Sequence, residues 1–115
     1  MAEDCIFCKI VSGAIPSTKV YEDDRVLAFD DIHPLAPVHV VVIPKKHIST
    51  LLDCTEDRMD DLAAVISAVI EVAKKKGIDR KGFRTVLNCN AEGGQVIFHL
   101  HAHVLGGKKL ADEMG

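Results

Sequence analysis

Phe98-His99-Leu100-His101-Ala102-His103-Val104-Leu105 sets a histidine at every second residue, with Leu100, Ala102 and Val104 between. Successive side chains of an extended backbone point to opposite faces, so this pattern puts three imidazoles on one side and three aliphatics on the other. A helix would scatter the rings. On a strand, neighbouring imidazoles are anchored only ~7 Å apart, close enough to act on one anionic group or one metal ion. Glycine pairs flank the stretch, Gly93-Gly94 before it and Gly106-Gly107 after it. Residues without a Cβ let backbone N–H groups approach a bound group closely. The stretch therefore predicts a strand over 98–105 whose polar face is a site. A strand whose histidines merely face solvent suits one or two such residues better than three in strict alternation.

A chain of 115 residues fits one domain, spanning 1–115, and a domain of that size buries enough surface for a proper core. It is 48% hydrophobic and 27% charged with no Trp, so the core is built mainly from Val, Ile, Leu and Ala. A net charge of -3 gives no basic field for non-specific nucleic-acid binding. Discrete phosphate ligands remain compatible with it. The opening Met1-Ala2-Glu3-Asp4-Cys5 is acidic and lacks the n- and h-regions of a signal peptide, and no apolar run reaches the ~20 residues of a membrane span. A cytoplasmic protein is expected, in which Cys5, Cys8, Cys54 and Cys89 are thiols or metal ligands rather than disulfides.

Residues 5–10 read as a short helical or turn-like opening, stopped by Ser12-Gly13 and Pro16. Two short strands over 19–22 and 25–30 flank the turn-prone Asp23-Asp24 and predict a hairpin. Residues 38–43 form the most β-branched run of the chain, a central strand ended by Pro44. A long helix is predicted over 55–76, with Thr55 as N-cap, Glu56 and Asp57 in its first turn, Lys74, Lys75 and Lys76 in its last, and Gly77 beyond. Leu62, Ile66, Val69, Ile70 and Ala73 form one apolar stripe, and Ala64, Val65, Ala68 and Val72 carry it almost round the helix. One sheet cannot cover that circumference, so a twofold dimer across the helix is expected. Residues 83–88 read as a fourth strand and the histidine stretch as a fifth, which together make an α+β fold with a mostly antiparallel sheet.

A neutral imidazole is a competent nucleophile near pH 7, and imidazoles on the same face donate hydrogen bonds to phosphoryl or carbonyl oxygens. His101, in the middle, is best placed to attack. Attack on phosphorus needs donors for the non-bridging oxygens, which His103, Asn88 and the N–H groups near Gly94 and Gln95 are positioned to supply. Cys5-x-x-Cys8 offers two thiolates at a spacing zinc uses, with His47, His99, Cys54 and Cys89 as candidate further ligands. A catalytic metal on the three histidines is a rival arrangement. His33 and His39 are read as structural or solvent-facing.

The chain resembles the histidine triad (HIT) family, specifically its Hint-like branch of nucleoside phosphoramidate and nucleotidyl hydrolases. Residues 99–105 fit the family's His-φ-His-φ-His-φ-φ pattern at every position, and Glu22-Asp23-Asp24-Arg25, Ala28-Phe29-Asp30-Asp31-Ile32, Ile43-Pro44-Lys45-Lys46-His47-Ile48 and Gly93-Gly94-Gln95 fit its flanking phrases. The resemblance implies a five-stranded antiparallel sheet with one long and one short helix, joined in a homodimer into a ten-stranded sheet. It implies a purine nucleoside monophosphate or phosphoramidate as ligand, with His101 as the nucleophile on its α-phosphorus and His99 and His103 as its catalytic neighbours. Phe29, Asp31 and Ile32 match the nucleoside pocket, where Asp31 accepts from the ribose hydroxyls. Asn88, Gly94 and Gln95 match phosphate-side positions, with Val96 next in that loop. The ligands of zinc-containing members correspond to Cys5, Cys8, His47 and His99, which implies one structural Zn2+ and no organic cofactor. Two departures stand out. Val96 replaces a serine that assists the leaving amine in many relatives, and the tail Lys108-Lys109-Leu110-Ala111-Asp112-Glu113 lacks their tryptophan. A nucleotide-binding scaffold with vestigial catalysis is therefore the alternative to a hydrolase.

Overall fold

The computed structural model describes residues 4–113. Strands β1 (Lys19–Glu22), β2 (Val26–Asp30), β3 (Val38–Pro44), β4 (Arg84–Val86) and β5 (Ala102–Gly106) form one sheet in the order β1-β2-β3-β5-β4. Every neighbouring pair is antiparallel. The hairpin turns where Asp23 accepts the backbone N–H groups of Arg25 at 2.8 Å and Val26 at 2.9 Å, a side chain standing in for a backbone turn.

β3 holds the centre because both of its faces are apolar. Val40 and Val42 join Val26, Ala28, Ala102 and Val104 beneath helix α2 (Met59–Lys75). Val41 and Ile43 join Leu27 and Phe29 against helix α1 (Ile6–Ser12), which contributes Phe7 and Ile10. The sheet is thus covered on both sides, and β-branched side chains suit that doubly buried position. Gly106 closes β5 because a Cβ there would lie 2.9 Å from Ile78 Cδ1.

Three element boundaries differ from the sequence reading. The long helix starts later: Glu56–Arg58 is a 3-10 turn and α2 begins at Met59. Thr55 makes no cap bond to the backbone, and its hydroxyl donates to the Asp57 carboxylate. The fifth strand begins at Ala102, so His99 and His101 lie just outside the ladder. Pro44 offers no N–H with which to extend β3 pairing. Its carbonyl is taken by the His99 ring at 2.8 Å, while the Leu100 N–H turns to Ile48 O at 2.6 Å. The fourth strand is correspondingly short, ending at Val86 opposite His103.

On α2, Val65, Ala68, Val69, Val72 and Ala73 are buried on the sheet, whereas Ile66 (42% exposed) and Ile70 (48%) face outward. The helix is two-sided, as its sequence predicts. Among the described residues, no helix is long and apolar enough to cross a membrane.

Candidate active site

The alternation of the histidine stretch survives outside the ladder. Leu100 packs with Ile48 and Cys54, and Ala102 and Val104 lie under α2, while the imidazoles occupy the α1 side of the sheet. Their ring nitrogens have distinct partners, which fix where each proton resides.

His99 is fully buried. Its Nε2 lies 2.8 Å from Pro44 O, and a carbonyl only accepts, so Nε2 carries the proton and Nδ1 presents a lone pair. That lone pair faces Cys5 Sγ at 3.2 Å and Cys8 Sγ at 3.5 Å, and Cys8 Sγ lies 3.2 Å from His47 Nδ1. The four donor atoms all lie within 4.8 Å of one another. A tetrahedron around zinc with nitrogen and sulfur ligands has edges of about 3.4–3.7 Å, so the set fits a closed Cys2His2 site. The pairing of His99 with a backbone carbonyl through its other nitrogen is the usual support of a metal-bound imidazole. Burial, and then the bond to Cys5, pushes the Cys8 thiol up to about 11, and burial first of all holds His99 down at about 4. A bound cation would favour the thiolates instead. Of the alternative ligands read from the sequence, Cys54 packs with Ile48 and Leu100, and Cys89 is absent from the group.

His101 is anchored through its Nδ1, 2.8 Å from His99 O. By the same logic Nδ1 bears the proton and Nε2 keeps a free lone pair. Burial lowers the pKa of the ring, so it is neutral near pH 7. Phe7 stands edge-on at 5.1 Å between centroids and His103 at 5.0 Å.

His103 Nδ1 lies 2.9 Å from His39 Nε2. His39 Nδ1 accepts the Leu35 N–H at 3.1 Å, so the neutral His39 ring carries its proton on Nε2 and donates it to His103. His103 in turn carries its proton on Nε2. Burial, then the neighbouring His101 and His39, hold His103 down at about 4. His39, read from the sequence as structural or solvent-facing, is buried two residues before Val41, which pairs with His103, and sets the tautomer of that site histidine. The signal was there: in β3 it alternates onto the face of Val41 and Ile43, and a buried imidazole needs partners. His33 is exposed. Asp31 Oδ2 lies 3.4 Å from His39 Nε2, which makes Asp31, His39 and His103 a second close group. The proton on His39 Nε2 blocks the atom that would bind a metal, so this group is a hydrogen-bond relay. The three histidines of the stretch likewise turn to three different partners and do not share a ligand point, which disfavours a catalytic metal upon them.

Phe29 is buried against Phe7 at 5.6 Å, and Asp31 holds the His33 N–H at 2.8 Å. Ile32 and Val96 are the open rim, 85% and 86% exposed. Gly94 has φ +87°, a backbone conformation that favours glycine, and Asn88 Nδ2 lies 4.0 Å from where a Cβ there would stand, an ordinary contact distance. The amides of Gly94 and Gln95, expected to be free donors, are instead turned inward to Ala91 O and Asn90 O at 3.0 Å each. Residues Ala91–Gly93 coil as a 3-10 turn, and the buried Gln95 side chain ties that turn to Ser49 O at 2.9 Å and Ile97 O at 3.1 Å. A groove of about 1180 Å³ lies elsewhere, among Lys76, Arg80, Lys81, Arg84, Lys108 and Lys109. Converging chemistry, not volume, locates the site.

The fold and site define a class: an α+β protein presenting two adjacent neutral imidazoles, one with a free lone pair and one with a free proton. The model of the HIT domain matches residues 12–110. The purine nucleoside phosphoramidase of Escherichia coli K12 is 43% identical over 110 residues, covering 96% of this chain and 92% of that protein. A HIT family hydrolase of Legionella pneumophila superposes with a TM-score of 0.93 at 44% identity, covering 96% of this chain and 99% of that one. A histidine triad protein of Clostridium difficile gives 0.92 at 53% identity, with 96% of each chain covered. The chain belongs to the HIT family.

Proposed function

We propose that this hydrolase cleaves purine nucleoside 5'-monophosphoramidates through a nucleotidyl intermediate on His101, acting as a single HIT domain over 1–115 of the Hint-like branch. The observation that carries the reading is the proton placement: His101 Nδ1–H is held by His99 O, so Nε2 is free on a neutral ring beside a donor on His103. In the first half-reaction the Nε2 lone pair forms a bond to phosphorus as the P–N bond breaks. The amine leaves with a proton from solvent at the open rim by Val96. The proton kept on Nδ1 makes the adduct a cationic imidazolium, a good leaving group, and His99 O stabilises that charge. Water then attacks phosphorus and gives up a proton to solvent, which returns the one taken up by the amine, the P–Nε2 bond breaks with its electron pair passing to Nε2, and the nucleoside monophosphate departs with the neutral ring restored.

His103 Nε2–H and the Asn88 amide stabilise charge on the phosphoryl oxygens. Phe29 and Ile32 line the nucleoside, Asp31 accepts from the ribose hydroxyls, and the Gly94-Gln95-Val96 loop borders the phosphate through its shape rather than through the two inward amides. Cys5, Cys8, His47 and His99 would hold a structural Zn2+, which when bound would tie the two thiolates and the two imidazoles together. Ile66 and Ile70 support a homodimer, since they leave an apolar helix face for a second copy, and a ten-stranded sheet is the form that dimer takes in this reading. Four free cysteines support a cytoplasmic location.

The test is a panel of adenosine and guanosine phosphoramidates and dinucleotides, run on the wild type and His101→Asn. Monophosphate release from the phosphoramidates that disappears in His101→Asn is the expected result. Nucleotide binding without turnover of any member would instead select the scaffold reading.

A further inference from the structure

We propose that Asp61, on the first turn of α2, is a positioning residue for His47, the metal ligand with the weakest hold on its own ring. The inference rests on the reading of Cys5, Cys8, His47 and His99 as a zinc site. Cys5 and Cys8 are fixed by α1, whose N-cap is Cys5 and whose first turn closes with the Cys8 N–H on Cys5 Sγ at 3.3 Å. His99 is held at Nε2 by Pro44 O at 2.8 Å. His47 lies in the loop after β3. Besides the Cys8 thiol and the His99 ring, its partner is Ser49 Oγ at 3.4 Å, longer than an ordinary hydrogen bond. Where the ring stands is therefore set by the backbone that carries it.

That backbone is anchored on both sides of His47. Downstream, Ile48 O accepts the Leu100 N–H at 2.6 Å. Upstream, the Lys45 N–H donates to Arg25 O at 2.7 Å, which carries the β2–β3 pairing one residue past Val26 and Pro44. Asp61 secures the upstream anchor: its Oδ1 accepts from Arg25 Nη1 at 3.0 Å, and its Oδ2 lies 3.6 Å from Lys46 Nζ. One carboxylate thus joins the hairpin turn, the neighbour of the ligand and α2. Its side chain is 4% exposed, against 50% for Arg25 and 74% for Lys46, so the cations reach in to a fixed acid. Among the described residues, no other carboxylate is buried. Taking a carboxylate out of water is costly unless it stays paired, so Asp61 keeps its cations close. Without that charge the upstream anchor loosens, and the His47 ring moves over a wider arc about the metal. Groups that orient a metal ligand are worth roughly ten- to hundred-fold in metal affinity. Asp61 acts through a neighbouring residue, which places it at the low end, about ten-fold.

The experiment uses the full-length, zinc-loaded protein and compares the wild type with Asp61→Asn, Lys46→Met, their combination and Val72→Ala. The first two remove a charge and keep the length of the side chain. Val72→Ala opens a cavity under the far part of α2, on the side of the sheet away from the metal ligands. Each is measured for zinc content, melting temperature and the rate of zinc release to a chromogenic chelator. Asp61→Asn is expected to release zinc about ten-fold faster, and Lys46→Met faster by a smaller factor. The combination should release it no faster than Asp61→Asn alone, because both changes cut the same link. Val72→Ala is expected to melt lower at the wild-type release rate. A wild-type rate in either single variant, effects that multiply in the combination, or an equal acceleration in Val72→Ala would overturn the proposal. Should Asp61→Asn fold poorly, Lys46→Met decides, since that side chain is exposed. A wild type that binds no zinc refutes the metal reading and this one with it; a zinc-loaded wild type that releases the metal as fast as Asp61→Asn refutes the positioning role alone.

Discussion

Replacing His39 separates the relay from the packing around it. His39 Nε2 donates to His103 Nδ1 at 2.9 Å, and its Nδ1 accepts the Leu35 N–H at 3.1 Å. Asparagine places an amide near the Nδ1 position and can still serve Leu35, but it is too short to reach His103. Glutamine reaches further and can place an N–H near the Nε2 position. His39→Asn leaves an unpaired, half-buried ring nitrogen on His103, a cost of about 1–3 kcal/mol. In a domain of this size that lowers the melting temperature by roughly 4–12 °C. Catalysis suffers separately, because His103 is then free to turn its proton away from the phosphoryl oxygens. Complete loss of one such donor costs roughly 10²–10³ in turnover, so a ring that is only misdirected should lose about ten- to hundred-fold. Thermal melts and steady-state turnover of a fluorogenic adenosine phosphoramidate measure both effects. His39→Gln should recover most of the rate. Equal rates in His39→Asn and the wild type, or a His39→Gln variant as slow as His39→Asn, would refute the relay.

Four further outcomes are expected. Burial holds His103 down at about 4 against 6.5 for an ordinary histidine, so between those values the unfolded chain binds more protons and stability rises with pH. The contribution is fully present above about pH 6.5, is lost as the pH falls towards 4, and amounts to at most about 3 kcal/mol; urea melts should become flatter across that window in His103→Asn. Cys5→Ser should reduce bound zinc from near one per chain to a small fraction, with a lower melting temperature, as read by elemental analysis and calorimetry; a zinc-free wild type of unchanged stability would contradict the structural role. Gly106→Ala drives a Cβ to 2.9 Å from Ile78 Cδ1 and should cost about 1–3 kcal/mol in denaturant unfolding. Ile66→Glu combined with Ile70→Glu should halve the mass measured by sedimentation while leaving the chain folded.

The alternation of residues 98–105 and the β-branched run of 38–43 were enough to read the sheet and the face that carries the imidazoles, because a period of two depends only on backbone geometry. The ends of elements were not legible in the same way. The start of α2 was read from Thr55 as a cap and the acidic residues after it, and the same signals open the 3-10 turn Glu56–Arg58 that precedes the helix. The start of β5 turned on a contact of long sequence separation, the His99 ring taking the Pro44 carbonyl. His39 was missed because a lone histidine in an apolar strand has no local partner, and the residue that gives it a role lies 64 positions away. The inward amides of Gly94 and Gln95 depend on a compact turn held by the Gln95 side chain, which no short-range pattern announces.

The central claim, that Nε2 of His101 forms a covalent bond to phosphorus, is tested most directly by intact-mass analysis of enzyme quenched within milliseconds of mixing with an adenosine phosphoramidate. The wild type should gain the mass of one adenylyl group, mapped to His101 by fragmentation, and His101→Asn should gain none. A wild type that turns over without ever carrying the group, or an adduct mapped to a different residue, would contradict the account.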